Sequence, residues 1–285
     1  MTIDKQILTP LPGQHVSIAP GEGVFPEIMN KINGAISNHP RSLQKRIGPS
    51  EIGHPCARKL AYKLLGQPER TDLPPNWKAT VGTAVHGWME DVFDADNLAT
   101  AHLLDGQERW YIESRVSVGE VGGVEITGSS DLFDRVTLSN WDWKVVGPYQ
   151  LDKYKRQGPS EVYRAQAHLY GRGWWRAGIG CASVNIVFLA RNGDLSDTYH
   201  WSEPYNEQVA LDALQRLEGI NSAVTAFGPT ALDVLPTADS YCTNCEFYKF
   251  HSTNLAEGCP GDPKAAARQD ASRTNQLGGL IPAGK

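Results

Sequence analysis

The chain has no run of about 18 apolar residues, so no membrane-spanning helix is expected. Its start, MTIDKQILTPLPGQ, lacks the apolar core of a secretory signal, and a cytoplasmic location is expected. Positive charge is not in excess either. A formal net charge of −5 argues against a protein that coats nucleic acid non-specifically, because such affinity comes from neutralising phosphates with Lys and Arg. Cysteine is scarce, with five residues in 285, and a reducing compartment disfavours disulfides among them. The segment PKAAARQDASRTNQLGGLIPAGK at the end lacks an apolar face and reads as a disordered tail over 263–285, while the Pro- and Gly-rich residues 1–25 read as a mobile arm.

What remains is long enough for a sizeable core, with 40% hydrophobic and 21% charged residues. The stretch GSSDLFDRVTLSNWDWK, residues 128–144, carries the most chemistry. Trp141–Val146 reads as a strand, in which Asp142 and Lys144 share one face while Trp141, Trp143 and Val145 take the apolar one. Asp131 precedes it on a strand expected over Asp131–Leu138, with a polar break at Ser139-Asn140. An amine beside a carboxylate on one strand reads either as a cross-strand ion pair or as part of a catalytic set.

Other elements follow from periodicity and punctuation. Pro55 and Gly66 bound a helix beginning beside Cys56, with Leu60, Leu64 and Leu65 inward. The three prolines of 67–79 make a loop, after which Val81, Val85, Trp88 and Val92 form a helical stripe with His86 beside it. Trp110–Val118 and Val121–Thr127 read as strands joined through Gly119 and Gly122-Gly123. Residues 147–157 read as a loop and Pro159–Ala177 as a helix, with Gln166 and Tyr170 one turn apart. Ala182–Ala190 and Asp197–Trp201 read as strands, and Glu203–Phe227 as a long covering helix. From Lys144 to Arg176 seven positive residues stand against Asp152 and Glu161, an excess of five. That excess fits either a solvated helix face or a phosphate-tracking surface. Cys242-x-x-Cys245 has metal-thiolate spacing, and Cys259 is followed by proline; spacing leaves zinc and iron open.

The order Asp131, Asp142, Lys144 resembles the PD-(D/E)XK nuclease superfamily, in which an acid precedes a D/E-x-K strand across a hairpin. The helix Val81-Gly-Thr-Ala-Val-His86, the helical Gln166-Ala-His-Leu-Tyr170 and the cysteines split between the two ends make the chain similar to RecB-like exonucleases, including those of CRISPR adaptation, over roughly residues 45–262. The fold this implies is α/β and restriction-endonuclease-like, with a mixed central sheet flanked by helices. Residues 26–262 would form the nuclease domain, including a clasp of Cys56 with 242–259. As the resemblance implies, His86, Asp131, Asp142 and the Trp143 carbonyl would hold Mg²⁺ or Mn²⁺, and Lys144 would orient or help deprotonate a water. Glu113 is a further candidate near the metal, and Gln166 and Tyr170 would hold DNA.

Cys56, Cys242, Cys245 and Cys259 would bind a [4Fe–4S] cluster by the same resemblance, with an unusually long stretch between the last two; Cys181 reads as a core residue. The implied function is hydrolysis at DNA ends, single-stranded or duplex, giving a 5′-phosphate and a 3′-hydroxyl. Such an enzyme would act in recombination, repair or phage and mobile-element DNA processing, in a bacterial or phage-infected cell, with possible recombination or CRISPR-adaptation partner proteins. The rival reading is a non-catalytic DNA-binding accessory subunit. A site-specific restriction endonuclease has no support, because the cysteines resemble those of end-processing enzymes.

Overall fold

The structure is a computed structural model that describes residues 24–39, 46–239, 241–265 and 267–268. The expected arm thus lies outside the described residues up to residue 23, and the expected tail from residue 269 onward. Two compact units divide between Gln44 and Lys45, within the span 26–262 expected as one domain. The first holds helix α1 (Phe25–Ser37), opened by Pro26 and carrying Phe25, Ile28, Met29 and Ile32 on an exposed apolar face.

In the second unit the helices are α2 (Pro49–Ile52), α3 (Ala57–Leu64), α4 (Trp77–Thr100), α5 (Pro148–Gln157), α6 (Glu161–Arg176), α7 (Glu207–Phe227) and α8 (Ala231–Val234). The strands β1 (Trp110–Val121), β2 (Val124–Asp134), β3 (Ser139–Val146), β4 (Ser183–Ala190) and β5 (Tyr199–Pro204) form one sheet in sequence order. Within this sheet, among the described residues, only β3 and β4 pair in parallel; their connection carries α5 and α6. The mixed sheet flanked by helices is as expected. No helix among the described residues is long and apolar enough to cross a membrane.

β1 and β2 make a hairpin closed by Gly122-Gly123, at φ 57° and 75°, the left-handed pair that a two-residue hairpin turn requires. β2 is one continuous strand where two were expected. It ends four residues earlier, because the Asp134 carboxylate accepts from the Val136 N–H at 3.0 Å and the Thr137 hydroxyl at 2.8 Å and turns the chain there. Ser139-Asn140, expected as the break, already belong to β3. Residues 147–157, expected as a loop, form α5: Pro148 starts it, Leu151 is buried, and Gly158 at φ 73° stops it.

The main core lies between the sheet and helices α3, α6 and α7, with Leu60, Phe133, Leu169, Ile186, Phe188 and Leu217 at most 1% exposed. A smaller cluster of Leu132, Trp143 and Leu189 on the other face packs against Val85, Met89 and Phe93 of α4. The α4 stripe is therefore rotated from the expected one, and Trp88 is 58% exposed. Two polar anchors explain the rotation. His86 meets the Trp143 carbonyl at 3.2 Å, and the buried Asn97 amide donates to the Trp110 carbonyl at 2.8 Å while accepting from the Arg109 and Trp110 N–H groups. Leaving such groups buried and unbonded costs more than exposing Trp88 and Val92.

Helix α6 reaches the sheet through Gly173, where a Cβ would stand 2.5 Å from Val116 Cγ2. Gly173→Ala is therefore expected to destabilise by about 1–3 kcal/mol through overpacking, partly offset by helix propensity. Val116→Ala in the same chain should restore part of that loss in urea denaturation. A neutral Gly173→Ala would show that α6 does not approach so closely.

Candidate active site

β2 and β3 pair over three positions, Leu132↔Trp141, Phe133↔Asn140 and Asp134↔Ser139, and then part. Beyond them the Trp143 N–H donates to Asp131 Oδ2 at 2.8 Å, so a side chain replaces the missing ladder acceptor. Asp131 is 6% exposed and Asp142 1%. Across β2, the β1–β2 ladder passes from Ile112↔Leu132 to Ser114↔Ser130 with Glu113 between them at φ 39°. A left-handed non-glycine inside a strand is strained, and the strain re-aims the Glu113 side chain.

His86 comes from α4. Its Nε2 faces the Trp143 carbonyl, which can only accept, so Nε2 carries a proton, and in the neutral ring the Nδ1 lone pair would be the free donor. Nδ1 is buried without a hydrogen-bond partner, 3.5 Å from Asp131 Oδ1 and 3.6 Å from Glu113 Oε1. Ligand atoms of His86, Glu113 and Asp131 all lie within 4.8 Å of one another. One imidazole nitrogen and two carboxylates are a donor set for Mg²⁺ or Mn²⁺, the nitrogen favouring Mn²⁺. A lone pair turned toward two carboxylates lacks any attractive partner until a proton or a cation lies between them.

Asp142 sits next to this trio but is engaged differently. Lys144 Nζ is 2.5 Å from its Oδ2, and the Gln166 amide of α6 donates to its Oδ1 at 3.0 Å. The ring of Tyr163 lies 5.0 Å from the Lys144 ammonium. The electrostatics are those of charges crowded out of water. Burial, then the Asp142 charge, pushes Asp131 up to about 7 against the pull of His86 and Lys144. Burial disfavours the Lys144 ammonium, but Asp142 and Asp131 outweigh it and hold Lys144 above its ordinary value. For His86 burial likewise acts downward, and Glu113 and Asp131 raise it overall.

The structure thus gathers His86, Glu113, Asp131, Asp142 and Lys144, with the Trp143 carbonyl at the edge. Gln166 and Tyr170 do not line an open surface: both are 5% exposed, and Tyr170 belongs to the main core. Sequence reading missed Tyr163 and Glu90. Glu90 lies one turn beyond His86 on α4, a spacing that signals proximity, and burial followed by the Glu113 charge raises its carboxyl.

Cys56 caps α3, and with Cys242, Cys245 and Cys259 it lines a single small cavity. No three of these thiols lie within 4.8 Å of one another. Backbone N–H groups of Gly261 and Asp262 donate to the sulfurs of Cys259 and Cys242, each at 3.4 Å. Burial pushes the Cys245 thiol up to about 12 and also raises Cys259. Cys181 lies elsewhere in the core, donating to the Ser183 carbonyl at 3.3 Å, as its expected core role requires.

No protein-family model and no curated protein matches the chain. Among solved structures, it is similar to an alkaline exonuclease (LHK-Exo) from Laribacter hongkongensis, with 9% identity, TM-score 0.39, 64% of this chain and 89% of the other covered. It is also similar to SSO0001, with 15% identity, TM-score 0.37, and 79% and 93% covered. LHK-Exo in complex with dAMP gives 10% identity, TM-score 0.33, and 62% and 91% covered. At such scores the likeness carries no functional inference, which rests on the residues themselves.

The trio gives a direct expectation. Mn²⁺ at about a hundred times its Kd should stabilise the protein by about 2.7 kcal/mol in a thermal melt. Glu113→Gln and His86→Ala should each lose most of that increment; an undiminished shift in both would exclude the trio as the binding site.

Proposed function

We propose that the chain is a divalent-metal-dependent deoxyribonuclease of the PD-(D/E)XK, RecB-like type, hydrolysing phosphodiester bonds at DNA ends. The observation that carries this reading is the placement of the His86–Glu113–Asp131 trio against the Asp142–Lys144 pair. Bound there, Mg²⁺ or Mn²⁺ would lower the pKa of a water and offset charge building on the phosphate. In hydrolysis the water oxygen bonds to phosphorus as the P–O3′ bond breaks; the water loses a proton and the 3′ oxygen gains one. Lys144, held protonated by Asp142, acts as a donor that orients water or phosphate rather than as a base. Gln166 fixes Asp142, and Tyr163 confines the ammonium from above. Action on recombination, repair or mobile-element DNA fits this chemistry.

The test is incubation of labelled single-stranded and duplex DNA with Mg²⁺ or Mn²⁺. Asp142→Ala and Lys144→Ala should each lower the cleavage rate by roughly a hundredfold or more while keeping a cooperative melt. Wild-type turnover in Asp142→Ala would overturn the assignment, and a wild-type protein that binds DNA but never cuts it would be an accessory subunit.

The four-cysteine cavity is read as a [4Fe–4S] site. Cys56, Cys242, Cys245 and Cys259 line one cavity, which supports a single group held by four thiolates. The backbone N–H donors at Cys242 and Cys259 suit thiolates. Anaerobically prepared protein should carry about four irons per chain. Cys181→Ser should keep them and Cys259→Ser should lose them. One zinc in place of iron would replace the cluster with a zinc site.

A further inference from the structure

Helix α5 follows directly on the strand that bears Asp142 and Lys144. Its inner side is held by Leu151, 4% exposed, and by Tyr154, whose ring lies 4.4 Å from Phe188 and 5.9 Å from Tyr163. Tyr163 is the ring beside the Lys144 ammonium, so α5 is seated two ring contacts from the candidate active site. Its outer side carries Tyr149, Lys153 and Arg156 at i, i+4 and i+7, with Lys155 alongside. All four are exposed, and among the described residues the three cations form no ion pair. A solvated face accounts for the lysines but not for Tyr149, which leaves 73% of its surface in water.

A groove runs from this helix to the cysteine segment. Lys153, Tyr241, Thr243 and Arg268 line it. Tyr241 is 74% exposed and held at φ 57°, a left-handed conformation in which a tyrosine is strained. It stands close enough to α5 to act on Tyr154, whose hydroxyl is pushed up to about 12 by burial, Tyr163 and Tyr241. The groove lining has one carboxylate, Asp239, already paired with Arg268, and α5 has one, Asp152. Cations without partners, flanked by two bare aromatic rings, match the two recognition elements of an unpaired nucleic-acid strand, its phosphates and its base faces.

We propose that this groove binds single-stranded nucleic acid, DNA under the nuclease reading on which this inference rests. Lys153, Lys155 and Arg156 take backbone phosphates, and bases stack on Tyr149 and Tyr241. Duplex DNA offers no free base faces to those rings, so the groove favours an unpaired strand leading toward the site.

Fluorescence anisotropy of a labelled oligo-dT of about 20 nucleotides, without divalent metal, reads this binding apart from cleavage. The triple variant Lys153→Gln, Lys155→Gln, Arg156→Gln should flatten the dependence of log K on log salt by about 2, at roughly 0.7 per phosphate. Tyr149→Ala and Tyr241→Ala should each weaken oligo-dT binding by about fivefold or more and leave blunt-duplex binding unchanged. Lys153 and Tyr241 share the groove with Cys242, whereas Tyr149, Lys155 and Arg156 lie on α5 outside that lining, so an effect of Tyr149→Ala reads the binding face apart from the cysteine cavity. An unchanged salt slope in the triple variant overturns the groove. So does tyrosine-independent binding displaced by polyglutamate, which marks an acidic protein partner instead. Binding with these dependences but no cleavage in Mg²⁺ or Mn²⁺ sinks the nuclease reading and keeps the groove; cleavage with all variants binding like wild type does the reverse.

Discussion

The parting of β2 and β3 after three paired positions is the constraint on which the site depends. A full ladder would bury Trp143 N–H against backbone and leave no room between the strands. Because Asp131 supplies the acceptor instead, the strands can diverge without an orphaned donor, and the space so opened receives His86 from one side of the sheet and Gln166 from the other. Behind the fork the strands are locked. Ser130 and Trp174 converge on the Asn140 side chain, and the Asn185 amide donates to the Asn140 carbonyl, all buried. These buried hydrogen bonds to the Asn140 Oδ1 and carbonyl hold the strands in one arrangement, although the Asn140 Nδ2 has no partner among the described residues.

Much of this was legible in the residues. Alternation placed Asp142 and Lys144 on one face and Trp143 on the other, and Trp143 does pack under α4. The hairpin glycines, the Cys56 helix start and the long α7 follow from turn and capping chemistry that acts over a few residues. The failures have a common cause. Counting apolar residues gave α4 the stripe through Trp88, whereas buried hydrogen bonds of His86 and Asn97, to strands distant in sequence, set its rotation. Basic and polar residues hid α5, although Pro148 and Gly158 marked both ends. Glu113, by contrast, was named as a candidate through the resemblance, and it meets His86 and Asp131 through a strained backbone that periodicity alone cannot express.

The cysteine segment packs on α3 and the loop after it. Tyr62 stacks on Phe247 at 4.9 Å and donates to the Leu255 carbonyl at 2.6 Å; Lys59 pairs with Glu246 at 3.0 Å; Arg70 N–H donates to the Glu246 carbonyl. These contacts accompany the approach of Cys56 to cysteines almost two hundred residues later in the chain. Packing of this kind offsets part of the entropy of closing so long a loop.

Charge decides what the site can accept. Glu90, Glu113, Asp131 and Asp142 stand against Lys144 and His86, so the pocket is acidic even with both bases protonated. A phosphodiester entering it would meet like charge in a setting where burial already drives Asp131 up to about 7. Were His86, Glu113 and Asp131 to hold a divalent cation, its charge would reverse that sign, and Lys144 would add to the attraction. The positive residues of α5 stand outside this acidic centre, where a phosphate needs no such reversal. On the proposed reading, the buried carboxylates would gather a cation while the exposed amines of α5 would meet phosphates in water.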